Sequence, residues 1–311
     1  MSAPAPYEEL VLLPNGQKLW YIDKHPTDPK QDHSYWRHNP DTGRKGTRLT
    51  GVTSAVKTLD YDPKNLLRWA ARTQLLGVAQ LYLAESSEFA AWLTSPDRMW
   101  KELEDHGLTY DQIRDKAGDE GTNVHVLAFQ ALAMGRPVPD FNRFNERELQ
   151  RALAVSQFFL DHEPKAAQVE QVVYSEALRV AGRLDFRGRL LAECDRSSCA
   201  CHSAKGPGVI DLKTGGFISC AAHAQVGGGY PLLAEESGFG ESNWAAILQV
   251  FDDGTYEFFK AEGTPESFES ALETYRFAGK INGAAAKARD GRKTAREMDA
   301  QLEAATEAVV G

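Results

Sequence analysis

The sequence predicts an α/β protein: a central mixed β-sheet flanked by helices, with an N-terminal β-hairpin extension and C-terminal helices. Three observations lead there. Residues 1–52 alternate in the β manner around turn signals, residues 53 to about 160 carry apolar side chains at helical spacing, and strands return after Pro164. Strand and helix periods interleaved along one chain bury their apolar faces by packing helices on a sheet.

The elements follow in order. In ELVLLPNGQKLWYID two β-type runs flank Pro14-Asn15-Gly16, a hairpin signal. HSYWRHNPDTGRKGTRLT repeats the pattern with a turn at Asn39-Pro40-Asp41-Thr42-Gly43, and Trp20, Tyr21, Tyr35 and Trp36 read as ordinary sheet packing. Thr53 and Ser54 are placed to cap a helix. After Pro63, NLLRWAARTQLLGVAQLYLAE reads as helical, as do LTYDQIRDKAGDEGTNVHVLAFQALAMG and ERELQRALAVSQFFLDH. QVEQVVYSEAL, VAGRLDFRGRLLAEC and GVIDLKTG read as three strands. AAHAQVGGGYPLLAEE is a Gly-interrupted helix, NWAAILQVFDDGTYEFFKAE a β-pair turning at Asp252-Asp253-Gly254, and residues 265–308 a last helical region. No internal repeat or low-complexity linker divides the chain. The expected organisation is one compact domain: a β segment (1–52), a core (53–262) with a Cys-containing insert (194–208), and a helical C-terminal region (263–311).

With 311 residues the chain can bury a full core, and 42% hydrophobic with 25% charged residues argues against wholesale disorder. No apolar run approaches the ~20 residues that span a bilayer. MSAPAPYEELVLLP lacks the basic stretch and apolar core of a secretory signal, so a cytoplasmic location is expected. The net charge of −9 argues against coating nucleic acid by bulk charge. It leaves room for an enzyme whose acids hold metal beside a local basic groove.

The run VIDLKTGG puts Asp211 and Lys213 on one face of a strand, and neither type is normally buried without a partner. Taken alone it reads as an ion pair beside a turn. Upstream, VAGRLDFRG ends a Gly-x-x-Asp at Asp185, where Gly182 permits a close backbone approach or a bulge. Two strands, each with an inward acid, suit Mg²⁺ or Mn²⁺, hard ions that take carboxylate and carbonyl oxygen. A lysine beside them reaches a bound water or a phosphoryl oxygen. Earlier, Gly121-Thr122 is placed to start or kink a helix with His125 one turn in. Imidazole suits Mn²⁺ somewhat better than Mg²⁺.

GTxVH, then GxxD, then (D/E)xK with TG behind it resemble the PD-(D/E)xK nuclease superfamily, and within it the RecB-like exonucleases with their phage-encoded members. The resemblance covers roughly residues 48–262 and includes RLTGVTSAVKTLD and LLRWAA, similar to the opening segment of the phage versions. It implies a restriction-endonuclease-like core, with His125, Asp185, Asp211 and the Leu212 carbonyl as ligands of one or two Mg²⁺ or Mn²⁺ ions. Lys213 would orient or help deprotonate the attacking water and offset transition-state charge. Glu170 matches an acid often found before GxxD, standing just behind the ligands; its plainer reading is a surface charge at a strand edge.

The implied activity is hydrolysis of DNA phosphodiester bonds by a metal-activated water, as an exonuclease on linear DNA. The implied setting is phage DNA recombination or processing in a bacterial or phage-infected cell, with a partner such as a single-strand annealing protein. One alternative is a structure-specific endonuclease. The other is a catalytically inactive DNA-binding or assembly module with the same fold, which predicts decayed ligands, yet His125, Asp185, Asp211 and Lys213 are all of the required types. Without a GxxxxGK[ST] motif, ATP-driven strand separation would come from a partner.

Two departures from the family stand out. Its Q-x-x-x-Y is here Gln225-x-x-x-x-Tyr230, and five residues rotate a helix by about 500° against about 400° for four. Gly227, Gly228 and Gly229 lie between and cost a helix roughly 3 kcal/mol against alanine. A local bulge would restore the shared face, and the glycines would let DNA backbone come close. The second departure is CDRSSCACHSAKGPG, which replaces a short hairpin. Cys194, Cys199, Cys201 and His202 are soft enough for a structural Zn²⁺, but there is no CxxC pair; free thiols or a disulfide are the alternatives. Cys220 reads as a small buried residue. Candidate phosphate contacts are Arg44, Lys45, Arg48, Arg183, Lys287, Arg289, Arg292, Lys293 and Arg296, each cluster otherwise a solvated face.

Overall fold

The computed structural model describes residues 8–23, 33–60, 63–133 and 144–310. Four strands, β1 (Glu8–Leu12), β2 (Lys18–Ile22), β3 (Ser34–His38) and β4 (Lys45–Arg48), form an antiparallel sheet in chain order. The Pro14-Asn15-Gly16 turn is realised with Gly16 at φ +86°, a backbone that favours glycine. A second, six-stranded sheet holds β5 (Thr50–Gly51), β6 (Pro164–Ser175), β7 (Val180–Leu190), β8 (Gly208–Lys213), β9 (Trp244–Val250) and β10 (Tyr256–Lys260). Its order is β10-β9-β8-β7-β5, with β6 also on β7. The sheet is mixed, since β8 and β9 run parallel, as do β5 and β7, while the other pairs are antiparallel.

The helices are α1 (Val52–Val56), α2 (Pro63–Ala84), α3 (Ser86–Trp92), α4 (Pro96–Asp105), α5 (Tyr110–His125), α6 (Glu146–His162), α7 (Cys220–Ala224), α8 (Tyr230–Ala234) and α9 (Pro265–Val310). Thr109 with Gln112, and Asn145 with Glu148, start α5 and α6 by reciprocal capping boxes. The expected cap at Thr53 and Ser54 is corrected. Gly51 is the N-cap of α1, because β5 runs straight into the helix, and both hydroxyls fall in its first turn. No helix among the described residues is long and apolar enough to cross a membrane.

Alternation along the strands sorts the interior into two layers. Val209 and Ile247 join a core with α1, α7, α8 and the start of α9, whereas Ile210, Ala246 and Leu248 join one with α5 and α6. The six-stranded sheet is therefore covered on both faces. A third core, with Leu19, Tyr21, Tyr35, Val172, Tyr174 and Ala181, binds the N-terminal sheet to β6 and β7.

Candidate active site

The site lies where two ladders stop. β6 follows one edge of β7 throughout, from Pro164↔Leu190 to Ser175↔Val180. The other edge is divided: β8 pairs with Phe186, Arg187 and Gly188, and β5 with Val180 and Ala181. Residues 182–185 on that edge belong to neither. One step past the pair Phe186↔Ile210, Asp185 stands opposite Asp211. The flanking pairs Val169↔Phe186 and Gln171↔Leu184 set Glu170 opposite Asp185 on the far side. Three acids thus stand abreast on three adjacent strands. The Leu212 N–H, past the end of the β7–β8 ladder, donates to Asp185 Oδ2 at 2.8 Å. In an extended strand the carbonyl of the same residue faces the same edge, so the Leu212 oxygen also turns toward the gap.

Glu170 is not a loose surface charge. Its backbone sits at φ +49°, a left-handed conformation that costs an L-residue roughly 1–2 kcal/mol and that tends to collect at functional positions. Its Oε1 lies 3.7 Å from His125 Nδ1, and its Oε2 3.0 Å from Arg183 Nε. His125 Nδ1 also lies 3.5 Å from Asp185 Oδ1. Ligand atoms of His125, Glu170 and Asp185 fall within 4.8 Å of one another. Asp211 lies outside that triad. Only 2% of its side chain is exposed, and its Oδ2 stands 2.6 Å from Lys213 Nζ while accepting no well-aligned hydrogen bond.

The expected start or kink at Gly121-Thr122 is corrected: both lie inside α5, and His125 is its last residue, before a π-helical run over Val126–Ala133. Gly121 packs close to the lysine strand's end, where a Cβ would stand 3.1 Å from Thr214 Oγ1. At Gly182 the choice between bulge and close approach is decided. A Cβ would come within 2.8 Å of Val52 Cγ2 and 3.0 Å of the Tyr230 ring, so absence of a side chain lets α1 and α8 close on β7.

Gln225 and Tyr230 do meet. The segment Gln225–Gly229 is a π turn in which the Tyr230 N–H donates to the Gln225 carbonyl, so five residues span one turn. Gln225 Nε2 donates to the Tyr230 hydroxyl at 2.8 Å. The expectation that the glycines admit DNA backbone is corrected, because protein occupies that space. A Cβ at Gly227 would lie 2.4 Å from the Gly263 oxygen, one at Gly228 2.2 Å from the Thr264 oxygen, and one at Gly229 2.9 Å from the Phe268 ring.

The acids and their neighbours share one cleft of about 810 Å³, lined also by Thr53, Ser54, Lys57, Arg48 and Thr214. Burial raises the Asp185 carboxyl to about 7 against the pull of His125, with Asp211 and Glu170 adding to the rise. Burial disfavours a charged His125, yet Asp185 and Glu170 outweigh it and lift the ring to about 9. Lys213 is raised as well, Asp211 and Asp185 overcoming its burial. The Asp185 shift is first of all burial, while those of His125 and Lys213 report the carboxylates crowded around them.

Of the expected phosphate contacts, Arg48 and Arg183 line the cleft. Arg183 is already engaged: besides Glu170 it donates to the Tyr21 hydroxyl at 2.9 Å and lies over that ring. Arg44 is exposed in the turn before β4 and Lys45 pairs with Glu8, so neither reaches the cleft. Lys287 is exposed on α9. The side chains of Arg289, Arg292, Lys293 and Arg296 lie outside the described residues. Lys57 is a cleft cation that sequence clustering misses, because no second basic residue stands beside it.

The cysteine insert gathers differently from expectation. Cys194, Cys199 and Cys201 converge on His162 at the end of α6. His202 is corrected out of the set: its Nδ1 meets Glu193 and its Nε2 the Arg196 carbonyl, each at 3.0 Å. Neighbours in the 3₁₀ turn Ala200–Ser203 point apart, so Cys201 faces inward while His202 faces out. Cys220, expected to be buried, is exposed as the first residue of α7. None of the four cysteines is joined in a disulfide.

No protein-family model matches the chain, and a search of curated proteins finds no match to it.

Proposed function

We propose that the chain is a metal-dependent deoxyribonuclease with a restriction-endonuclease-like core, acting as an exonuclease on linear DNA. The observation that carries this reading is the row of Glu170, Asp185 and Asp211 at the gap between β8 and β5, with His125 against two of them and Lys213 against the third. An oxygen-rich donor set with one imidazole fits Mg²⁺ or Mn²⁺. The buried Asp211 Oδ2, lacking a directed hydrogen bond, is the kind of atom such an ion would satisfy. His125, Glu170, Asp185, Asp211 and the Leu212 carbonyl are the residues that would hold it. A divalent ion there supplies charge to offset phosphoryl oxygens and eases deprotonation of an attacking water.

The remaining chemistry belongs to the chain. Lys213 presents an ammonium at the cleft beside Asp211, placed to orient the nucleophile and neutralise charge on the phosphate. Gln225 fixes Tyr230, whose phenol accepts from the amide and keeps its own O–H for a phosphate oxygen. Arg183 and Tyr21 hold Glu170 so that its other oxygen stays turned to His125. Arg48 and Lys57 stand at the cleft for flanking phosphates. The choice of an exonuclease rests on the resemblance to RecB-like enzymes.

The test is digestion of end-labelled linear duplex beside closed circular DNA, with Mg²⁺, Mn²⁺ or EDTA, by the parent and Lys213→Ala. Metal-dependent loss of linear DNA alone, abolished by the substitution, is the expected result. Cutting of both forms would replace the exonuclease by an endonuclease. No cutting under any ion would leave a DNA-binding module as the better account.

A further inference from the structure

We propose that His162, Cys194, Cys199 and Cys201 form a structural Zn²⁺ site that staples the insert between β7 and β8 to the end of α6. The four ligand atoms lie within 4.8 Å of one another. A tetrahedral ion with Zn–S of about 2.3 Å and Zn–N of about 2.0–2.1 Å sets ligand separations of about 3.8 Å between sulfurs and about 3.6 Å between sulfur and nitrogen. The separation of Cys194 Sγ from Cys201 Sγ is 3.8 Å, and that of Cys199 Sγ from His162 Nε2 is 3.7 Å. A disulfide needs about 2.05 Å, so the sulfur pair is spaced for a shared ion and not for a bond.

The surroundings agree. His162 is 0% exposed and Cys201 1%, although the insert has only one 3₁₀ turn of regular structure to hold it inside. The Tyr256 hydroxyl lies 3.2 Å from Nε2 and gives its single proton to Asp161, so it does not donate to Nε2, and a bound ion would set the ring to its Nδ1–H tautomer. The backbone has already brought the ligands near: the Leu191 and Ala192 N–H groups donate to the His162 carbonyl, and the Cys199 N–H to the Arg196 carbonyl. Three thiolates and an imidazole select a soft ion over the hard ion of the cleft. The inference stands apart from the nuclease reading, since none of these residues lines the cleft.

The test is metal analysis of full-length protein purified under reducing conditions without added chelator or metal-affinity resin, alongside His162→Gln, Cys199→Ser and His202→Gln. The parent should carry about one zinc per chain. His162→Gln and Cys199→Ser should lose zinc by at least about tenfold, a loss seen even for groups that only support a ligand, and His202→Gln should keep it. Zinc retained by His162→Gln and lost from His202→Gln would overturn the ligand set, and iron in place of zinc would overturn the ion. Should the variants fail to fold, Co²⁺ exchange into the parent decides: intense visible bands with sulfur-to-cobalt charge transfer support the site, and their absence refutes it.

Discussion

Replacing Gly228 by alanine should loosen the molecule and disturb the Gln225–Tyr230 pair. A Cβ there would stand 2.2 Å from the Thr264 carbonyl oxygen and 2.7 Å from its carbon, where ordinary contact begins at 3.4 Å. Those atoms are backbone leading into α9, anchored by the fully buried Phe268, so no side chain can swing aside. Relief requires the π turn to back away by about 1.2 Å, and close-packed interiors resist such movement. Overpacking of this kind costs about 1–3 kcal/mol, while exchanging glycine for alanine in a helix favours folding by about 1 kcal/mol. A contact this close to rigid backbone puts the cost at the top of that range, so the balance is a loss of about 2 kcal/mol, or a melting point lower by on the order of 5 °C for a chain of this size. Gly283, on the exposed length of α9, meets nothing within 4 Å, so Gly283→Ala should leave the melting point unchanged or raise it. Thermal melts followed by circular dichroism compare the parent with both variants. A Gly228→Ala protein that melts at or above the parent would refute the claim that these glycines exist to admit the backbone of residues 263 and 264.

Further outcomes follow from the same geometry. Asp185→Asn keeps an acceptor for the Leu212 N–H but removes the charge, so Mn²⁺ affinity, read from the magnetic-resonance signal of the free ion, should fall at least about tenfold. Unchanged affinity would dismiss the acid row as a metal site. Tyr21→Phe deletes a hydroxyl that accepts from Arg183 and donates to Asp23, and urea unfolding should show a loss of about 1–2 kcal/mol. No loss would contradict the tie between the two sheets. Mg²⁺ should raise DNA affinity as well as permit cutting. Lys213→Ala should therefore bind labelled duplex more weakly in EDTA than in Mg²⁺, and equal binding would count against an acidic site that needs the ion to approach phosphate.

What was legible in the sequence was local. The turn at Asn15-Gly16, the periods of the strands and helices, and the side of β8 that carries Asp211 and Lys213 all depend on neighbours a few residues away, and each is found in place. Pairing of Asp185 with Asp211 can be suspected because each is an inward acid near a glycine in a strand-like run, but their register needs the ladder. The resemblance marks Glu170 as an acid behind the ligands, but its place abreast of Asp185 follows from the β6–β7 register and the left-handed backbone there, which no pattern of residue types announces. His162 lies 32 positions before Cys194 and on a helix, so the insert by itself offers only His202, close to the cysteines in sequence but not in space. Arg183 looked like a free cation because Tyr21, its partner, belongs to the other sheet.

The π turn at Gln225–Gly229 also bears on how a protein absorbs an added residue. Its widened coil takes up one position more than an α-turn and returns amide and phenol to each other within a single loop of the spiral. Lengthening at that point is neutral for the pair and expensive only in the bare backbone it demands. A rule counting three residues between glutamine and tyrosine would pass over this chain. A rule asking for the two groups one revolution apart would accept it, and would accept equally a chain that spaced them by four residues on an ordinary α-turn.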